Sequence, residues 1–151
     1  MKVVVADLLQ VSPIIEMLGK MAEEAGLVSV DWFQVSHTVI EDIRANLVLI
    51  AVGENNTITG SIGGAISSEW YSKEPILGDH WFFVREEHRK STAAFKLIKE
   101  WKAVGAEIGV RMKVGHSLGG DRVHEKDNLF EKLGFTRVGS TFERQVDGRS
   151  M

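Results

Sequence analysis

The run from Leu47 to Val84 does most to limit what this chain can become. Two apolar stretches, LVLIAVG (47–53) and ITGSIGGAIS (58–67), stand on either side of Glu54-Asn55-Asn56. Strand-forming runs around a short polar break signal a hairpin. A third run, Ile76 to Val84, extends the hairpin to a meander and ends in the aromatic WFFV. Then the character changes. Arg85 to Lys102 carries six Lys/Arg against three Glu, a local excess of +3 in a chain whose formal net charge is −3. From Ala94 the apolar positions fall at Leu97, Ile98, Trp101 and Val104, the period of a helix with one buried face. A strand therefore feeds a helix through Arg89-Lys90-Ser91-Thr92-Ala93-Ala94. The first turn of a helix leaves N–H groups without intrahelical partners. Small side chains there let a ligand come close, and the positive helix end favours an anion.

The flanking segments complete the outline. Lys2–Ala6 reads as a strand. Ser12-Pro13 reads as a helix entry, serine as cap and proline at the first helical position, with Ile14, Ile15, Leu18, Met21, Ala22 and Ala25 as the buried face and Gly26 as the stop. Thr38-Val-Ile-Glu41 has the form of a capping box, predicting a second helix to about Ala45. Beyond the meander, the spacing predicts a helix ending at Gly105, a strand over EIGVRMKVG (107–115), and a helix from about Val123 to Lys132 stopped by Gly134. TRVGSTFERQV (136–146) reads as a closing strand. The order β-α-α-β-β-β-α-β-α-β suits a mixed α/β sheet flanked by helices. With no repeat, low-complexity block or linker, residues 1–151 read as one domain.

Composition narrows function by exclusion. An apolar fraction of 44% and a charged fraction of 26% are ordinary for a globular chain. Zero cysteines exclude a disulfide scaffold, thiolate metal sites and a cysteine nucleophile, and fit an intracellular, cytoplasmic setting. The net negative charge argues against generic nucleic-acid binding. The apolar N-terminal stretch is broken by Asp7 and Gln10 and lacks a signal-peptide cleavage pattern, and no apolar run approaches a membrane span. His116 and His124 lack the tight spacing of metal ligands, so no metal site is expected.

The turn itself fits neither common nucleotide-binding pattern. A Walker loop requires glycines and a Gly-Lys-Ser/Thr ending; a dinucleotide fingerprint requires GxGxxG after the first strand of a parallel sheet, whereas SIGGAIS lies in a hairpin. With Arg89 and Ala94 at its ends, the turn resembles the Gln/Arg-x-x-Gly-x-Gly/Ala motif of the GCN5-related N-acetyltransferases (GNAT superfamily), with Thr92 where that family usually has glycine. LFEKLGF (129–135) resembles the family's LYEKLGF, and the order of elements agrees along essentially the whole chain. DHWFFVREEHR and the closing TFERQV are similar to small acetyltransferases of bacteriophages.

The resemblance implies a mixed, mostly antiparallel central sheet and an acetyl-CoA-dependent transfer of acetyl to a primary amine of a small molecule or protein. It also implies that Arg89, Lys90, Ser91, Thr92, Ala93 and Ala94 hold the cofactor's pyrophosphate, while the backbone of Phe83 and Val84 contacts its pantetheine arm where the neighbouring strand splays away. A backbone N–H there would polarise the thioester carbonyl. An amine is mostly protonated at neutral pH, so a base must take its proton. Asp79 and His80 are the candidates; neighbours on a strand face opposite ways, so one alone reaches the acceptor unless a bulge intervenes. Tyr71, Glu69 and Ser117 are candidate acceptor contacts, with Glu74 adding negative charge to the loop of Tyr71. The family's usual proton donor, a tyrosine, is replaced by Phe130. A homodimer is compatible with the resemblance. The competing expectation is a non-catalytic acyl-CoA-binding protein on the same fold, acting as a binding or inhibitory module on a host protein.

Overall fold

A computed structural model describes residues 1–115 and 123–144. Five strands form one sheet in the order β1-β2-β3-β4-β5: β1 Lys2–Val5, β2 Val48–Val52, β3 Ile58–Ser68, β4 Pro75–Val84 and β5 Arg111–Lys113. The first four are antiparallel neighbours; β5 runs parallel to β4. The helices are α1 Val11–Ala25, α2 Trp32–Arg44, α3 Ala93–Ile108 and α4 Val123–Lys132.

Alternation along the strands builds a core on each face of the sheet. Val48, Ile50, Trp81 and Phe83 pack under α1 and α2 through Ile14, Met17, Leu18, Val39 and Ile43. Leu49, Ala51, Ile62, Leu77, Phe82 and Val84 pack on the opposite face against Ala93, Leu97, Ile98 and Trp101 of α3 and Phe130 of α4. Leu77 and Phe82 share that face although they are five residues apart, a separation that a regular strand puts on opposite faces. The pairing explains it: Gly63 opposes Trp81 and Gly64 opposes Asp79, so His80 is the extra residue of a β-bulge.

Several boundaries differ from those predicted. Helix α2 starts at Trp32, six residues before Thr38, because Asp31 caps it by accepting the N–H groups of Phe33 and Gln34. Helix α1 starts at Val11, directly after a 3₁₀ turn capped by Asp7 and Gln10, so Pro13 lies within its first turn and Ser12 is not the cap. Gly26 does end it, in the left-handed region at φ 69°. Helix α3 runs past Gly105 to Ile108, and Gly109 at φ 83° closes it. Gly105 is a packing glycine: a Cβ there would lie 2.2 Å from Met112 Sδ. The strand expected from Glu107 is accordingly short. Residues 136–144 form no strand; the rest of the predicted closing strand lies outside the described residues.

Candidate active site

The bulge at His80 has a different neighbourhood on each side of β4. Toward β5, pairing covers only Ile76–Arg111, Leu77–Met112 and Gly78–Lys113. The carboxylate of Asp79 then holds the departing chain, accepting the Gly115 N–H at 2.9 Å. From Asp79 to Val84 no β5 residue pairs with β4 among the described residues, which leaves an open wedge. Arg85 N–H donates to Thr59 O at 2.8 Å. Hydrogen-bonded residues alternate in an antiparallel pair, so Phe83 bonds toward β3 while the main chain of Phe82 and Val84 turns into the wedge. Of the predicted pair, it is Val84, with Phe82, that presents backbone there.

At the far end of the wedge lies the predicted turn. A 3₁₀ turn, Glu86–His88, precedes it, and Ser91 Oγ donates to His88 O and accepts the Ala93 N–H, shaping the entry into α3. Lys90, Ser91 and Thr92 are exposed, Ala94 is half-buried and Ala93 is buried. Arg89 points elsewhere. Its Nε donates to Val84 O at 2.9 Å, its Nη2 pairs with Glu24 at 2.6 Å, and its guanidinium lies 5.1 Å from the centre of the Phe83 ring. Arg85 likewise reaches Glu16 at 2.7 Å and Ile58 O. Both arginines therefore fasten the turn to α1 and β3. Of the two cations between residues 89 and 94, Lys90 is the exposed one.

On the other side of β4, His80 Nδ1 sits 2.6 Å from Asp42 Oδ2 on α2. The Asp42 side chain is 5% exposed and the His80 side chain 45%. That hydrogen bond pushes the His80 pKa above the ordinary histidine value; burial opposes it, and the charges of Asp42 and Asp79 reinforce it. A carboxylate on Nδ1 favours the tautomer that leaves Nε2 as the basic nitrogen. His80 and Trp81 also line a cavity of about 360 Å³ between α1, the segment after Gly26, and α2. The bulge thus gives neighbouring Asp79 and His80 different surroundings: Asp79 at the apex of the wedge, His80 on the cavity.

The remaining predicted residues fall elsewhere. Glu69 is ion-paired with Lys113, which holds its carboxyl below the usual range. Tyr71 is exposed, edge-on to exposed Trp70, in the loop before β4. Four residues of strand, about 13 Å, separate the start of β4 from Asp79. His116 and Ser117 lie outside the described residues. Phe130 is buried against Phe82 and Phe135, an apolar wall beside the wedge. Among the described residues no group of three or more His, Asp or Glu could hold a metal, and no helix is long and apolar enough to cross a membrane.

A mostly antiparallel sheet whose last, parallel strand parts from β4 beside a strand-to-helix turn defines a class: this is the fold of the GCN5-related N-acetyltransferases. Solved structures agree. A probable acetyltransferase superposes with a TM-score of 0.72 at 20% identity, covering 97% of each chain. A predicted acetyltransferase with acetyl-CoA from Clostridium acetobutylicum gives 0.73 at 14% identity, covering 95% of each. The aminoglycoside 6'-N-acetyltransferase AAC(6')-IG of Acinetobacter haemolyticus gives 0.70 at 15% identity over 97% of this chain and 100% of that one. No protein-family model and no curated relative matches the sequence.

Proposed function

We propose that the protein transfers an acetyl group from acetyl-CoA to a primary amine. The observation that carries this reading is the parting of β5 from β4 immediately after Gly78, two residues before a bulged His80 whose imidazole is held by a buried carboxylate. The residues present suit acetyl-CoA. The wedge offers the main chain of Phe82 and the N–H of Val84, whose carbonyl is held by Arg89, to an extended amide-bearing arm. The first turn of α3, with Lys90, Ser91 and Thr92 exposed beside it, offers N–H groups and positive charge to phosphates.

In this reading the cofactor enters from the wedge and the amine from the α1–α2 cavity, so they meet across β4 at the bulge. His80 Nε2 takes the ammonium proton, directly or through water. The amine nitrogen then bonds to the thioester carbonyl carbon, an N–H of β4 stabilises the developing oxyanion, and the C–S bond breaks. The nitrogen gives up its second proton and the thiolate leaves as the thiol. Asp42 keeps the imidazole in the basic tautomer, and Asp79 fixes where β5 leaves.

The test is a thiol-release assay of the purified protein with acetyl-CoA and a panel of amines, run beside His80→Gln. Acetylated product from the parent and a loss of two orders of magnitude in the variant are expected; acetyl-CoA binding without release for any amine would overturn the reading. That second result would fit a non-catalytic acyl-CoA-binding module, which one observation favours: Phe130, at the position where the resemblance implies a tyrosine acid, is apolar and buried.

A further inference from the structure

Resting on acetyl transfer at His80, we propose that the acceptor is a monocationic primary amine with a flat apolar body, of the arylalkylamine type, and not a polycation. The cavity of about 360 Å³ sits at the small end of the range for small-molecule sites. Its lining is mostly apolar: Leu18, Met21, Val35 and Trp81 line it together with polar Gln34 and Thr38, and Leu27 and Trp32 are its exposed apolar residues. Trp32 is 39% exposed and Leu27 42%, so the mouth keeps a large apolar area in contact with water. An aromatic body would cover that area and stack against indole.

Charge points the same way. Among the described lining residues the acidic one is Asp31, whose Oδ1 already accepts from Phe33 N–H at 3.0 Å and Gln34 N–H at 3.1 Å as the cap of α2. Asp42 lies behind His80 and is bonded to it. One ammonium fits this inventory, because it gives its proton to His80 and leaves as a neutral amide. Additional ammonium groups inside the cavity would be set against leucine, valine and tryptophan, a costly desolvation; at the rim, Asp31 Oδ2 is the carboxylate oxygen left to pair with one. The aminoglycosides of several fold neighbours present several such groups, so a shared fold does not carry their acceptor over to this cavity.

Two measurements test the proposal, one of them independent of turnover. Calorimetry with N-acetyl-2-phenylethylamine reads the cavity directly. Thiol-release kinetics with acetyl-CoA compare 2-phenylethylamine, ethanolamine and the aminoglycoside sisomicin. The expected result is saturable binding of the amide and a kcat/KM for 2-phenylethylamine at least tenfold above the other two. Trp32→Ala should raise KM for the arylamine about tenfold with a much smaller change in kcat; Leu27→Ser, at an exposed rim position, replaces it if the first variant does not fold. Turnover of ethanolamine or sisomicin equal to or above that of 2-phenylethylamine overturns the acceptor class while acetyl transfer stands. Binding of the amide with no turnover of any amine overturns acetyl transfer and leaves the ligand class standing. Neither binding nor turnover overturns both.

Discussion

The proton on His80 is governed by two carboxylates that do different things. Asp42 bonds Nδ1 from within the core, and Asp79 acts through space while its own oxygen holds Gly115. If Nε2 is the base, the rate should rise with pH through a value above the ordinary histidine pKa. Asp42→Asn should move that limb to lower pH and cut turnover roughly 10²-fold; His80→Gln should abolish the limb. Asp79→Asn should move it less, since its influence on the imidazole is the weaker. A pH–rate profile of the four proteins checks this, and an unmoved limb in Asp42→Asn would remove the dyad from the mechanism. Stability has its own sign. A histidine whose pKa is raised on folding contributes stability that is complete below its unfolded pKa, near ~6.5, and is lost as pH rises through the folded value. The stability deficit of His80→Gln should therefore be larger at acid pH than at alkaline pH, as denaturant titrations at both would show. The sequence offered Asp79 and His80 as alternative candidates for the base. Asp42 was not legible, because its partner lies 38 residues away and is chosen by packing. A signal existed: Asp42 sits on the stripe of Val39 and Ile43, a carboxylate at a core position of an amphipathic helix.

The bulge and the turn are the elements that aim these residues, and each depends on particular side chains or their absence. A Cβ on Gly64 would lie 1.9 Å from Gly78 O and 2.9 Å from Asp79 Cα, both backbone, so the bulge must open to admit it. Gly64→Ala should cost about 2–3 kcal/mol or more and lower turnover through misplacement of His80. Gly78→Ala, where nothing lies within 4 Å, should cost little. Urea melts of both variants decide whether the bulge is as tightly specified as the pairing implies. At the turn the two cations should separate. Lys90→Glu should weaken acetyl-CoA binding at least tenfold, about 1.4 kcal/mol, with little change in Tm. Arg89→Glu would set a carboxylate against Glu24 and release Val84 O, so Tm should fall along with affinity; calorimetry and thermal melts distinguish the two. The strand-turn-helix order of this region was legible from periodicity alone. What the chain did not reveal was where Arg89 points, because Glu24 lies on a helix 65 residues earlier. Nor did it reveal the start of α2, where the side chain of Asp31 caps the helix by accepting two N–H groups, so that it begins ahead of the Thr38 box and adds partly buried Val35 to its packed face.

For the whole molecule, the consequence of two cores on one sheet is that β4 is reached from both faces. Trp81 and Phe83 belong to the α1–α2 layer, Phe82 and Val84 to the α3–α4 layer, and the wedge and the cavity lie on either side of the same bulged residue. The layered order was readable from the sequence because hydrophobic period and turn residues agree from β2 to α3. The closing strand was not borne out over residues 136–144, which form no strand although β5 ends the sheet. Ligand linkage gives the test at this scale. A ligand that binds only the folded state at a hundredfold excess over its Kd adds about 2.7 kcal/mol, which for a chain of this length raises Tm by roughly 5–10 °C. Acetyl-CoA should produce such a rise. In hydrogen exchange, the added protection should fall on the main chain of Phe82 and Val84 and on the first turn of α3, because those N–H groups would gain partners. The pairing of β1 with β2 already has its own hydrogen bonds and should slow only as far as global stability increases. Protection confined to α1 and α2 would place the ligand in the cavity instead and exchange the two sides of β4. No rise in Tm at millimolar acetyl-CoA would mean that the wedge does not hold it, and the assignment of Lys90, Ser91 and Thr92 to its phosphates would fall with it.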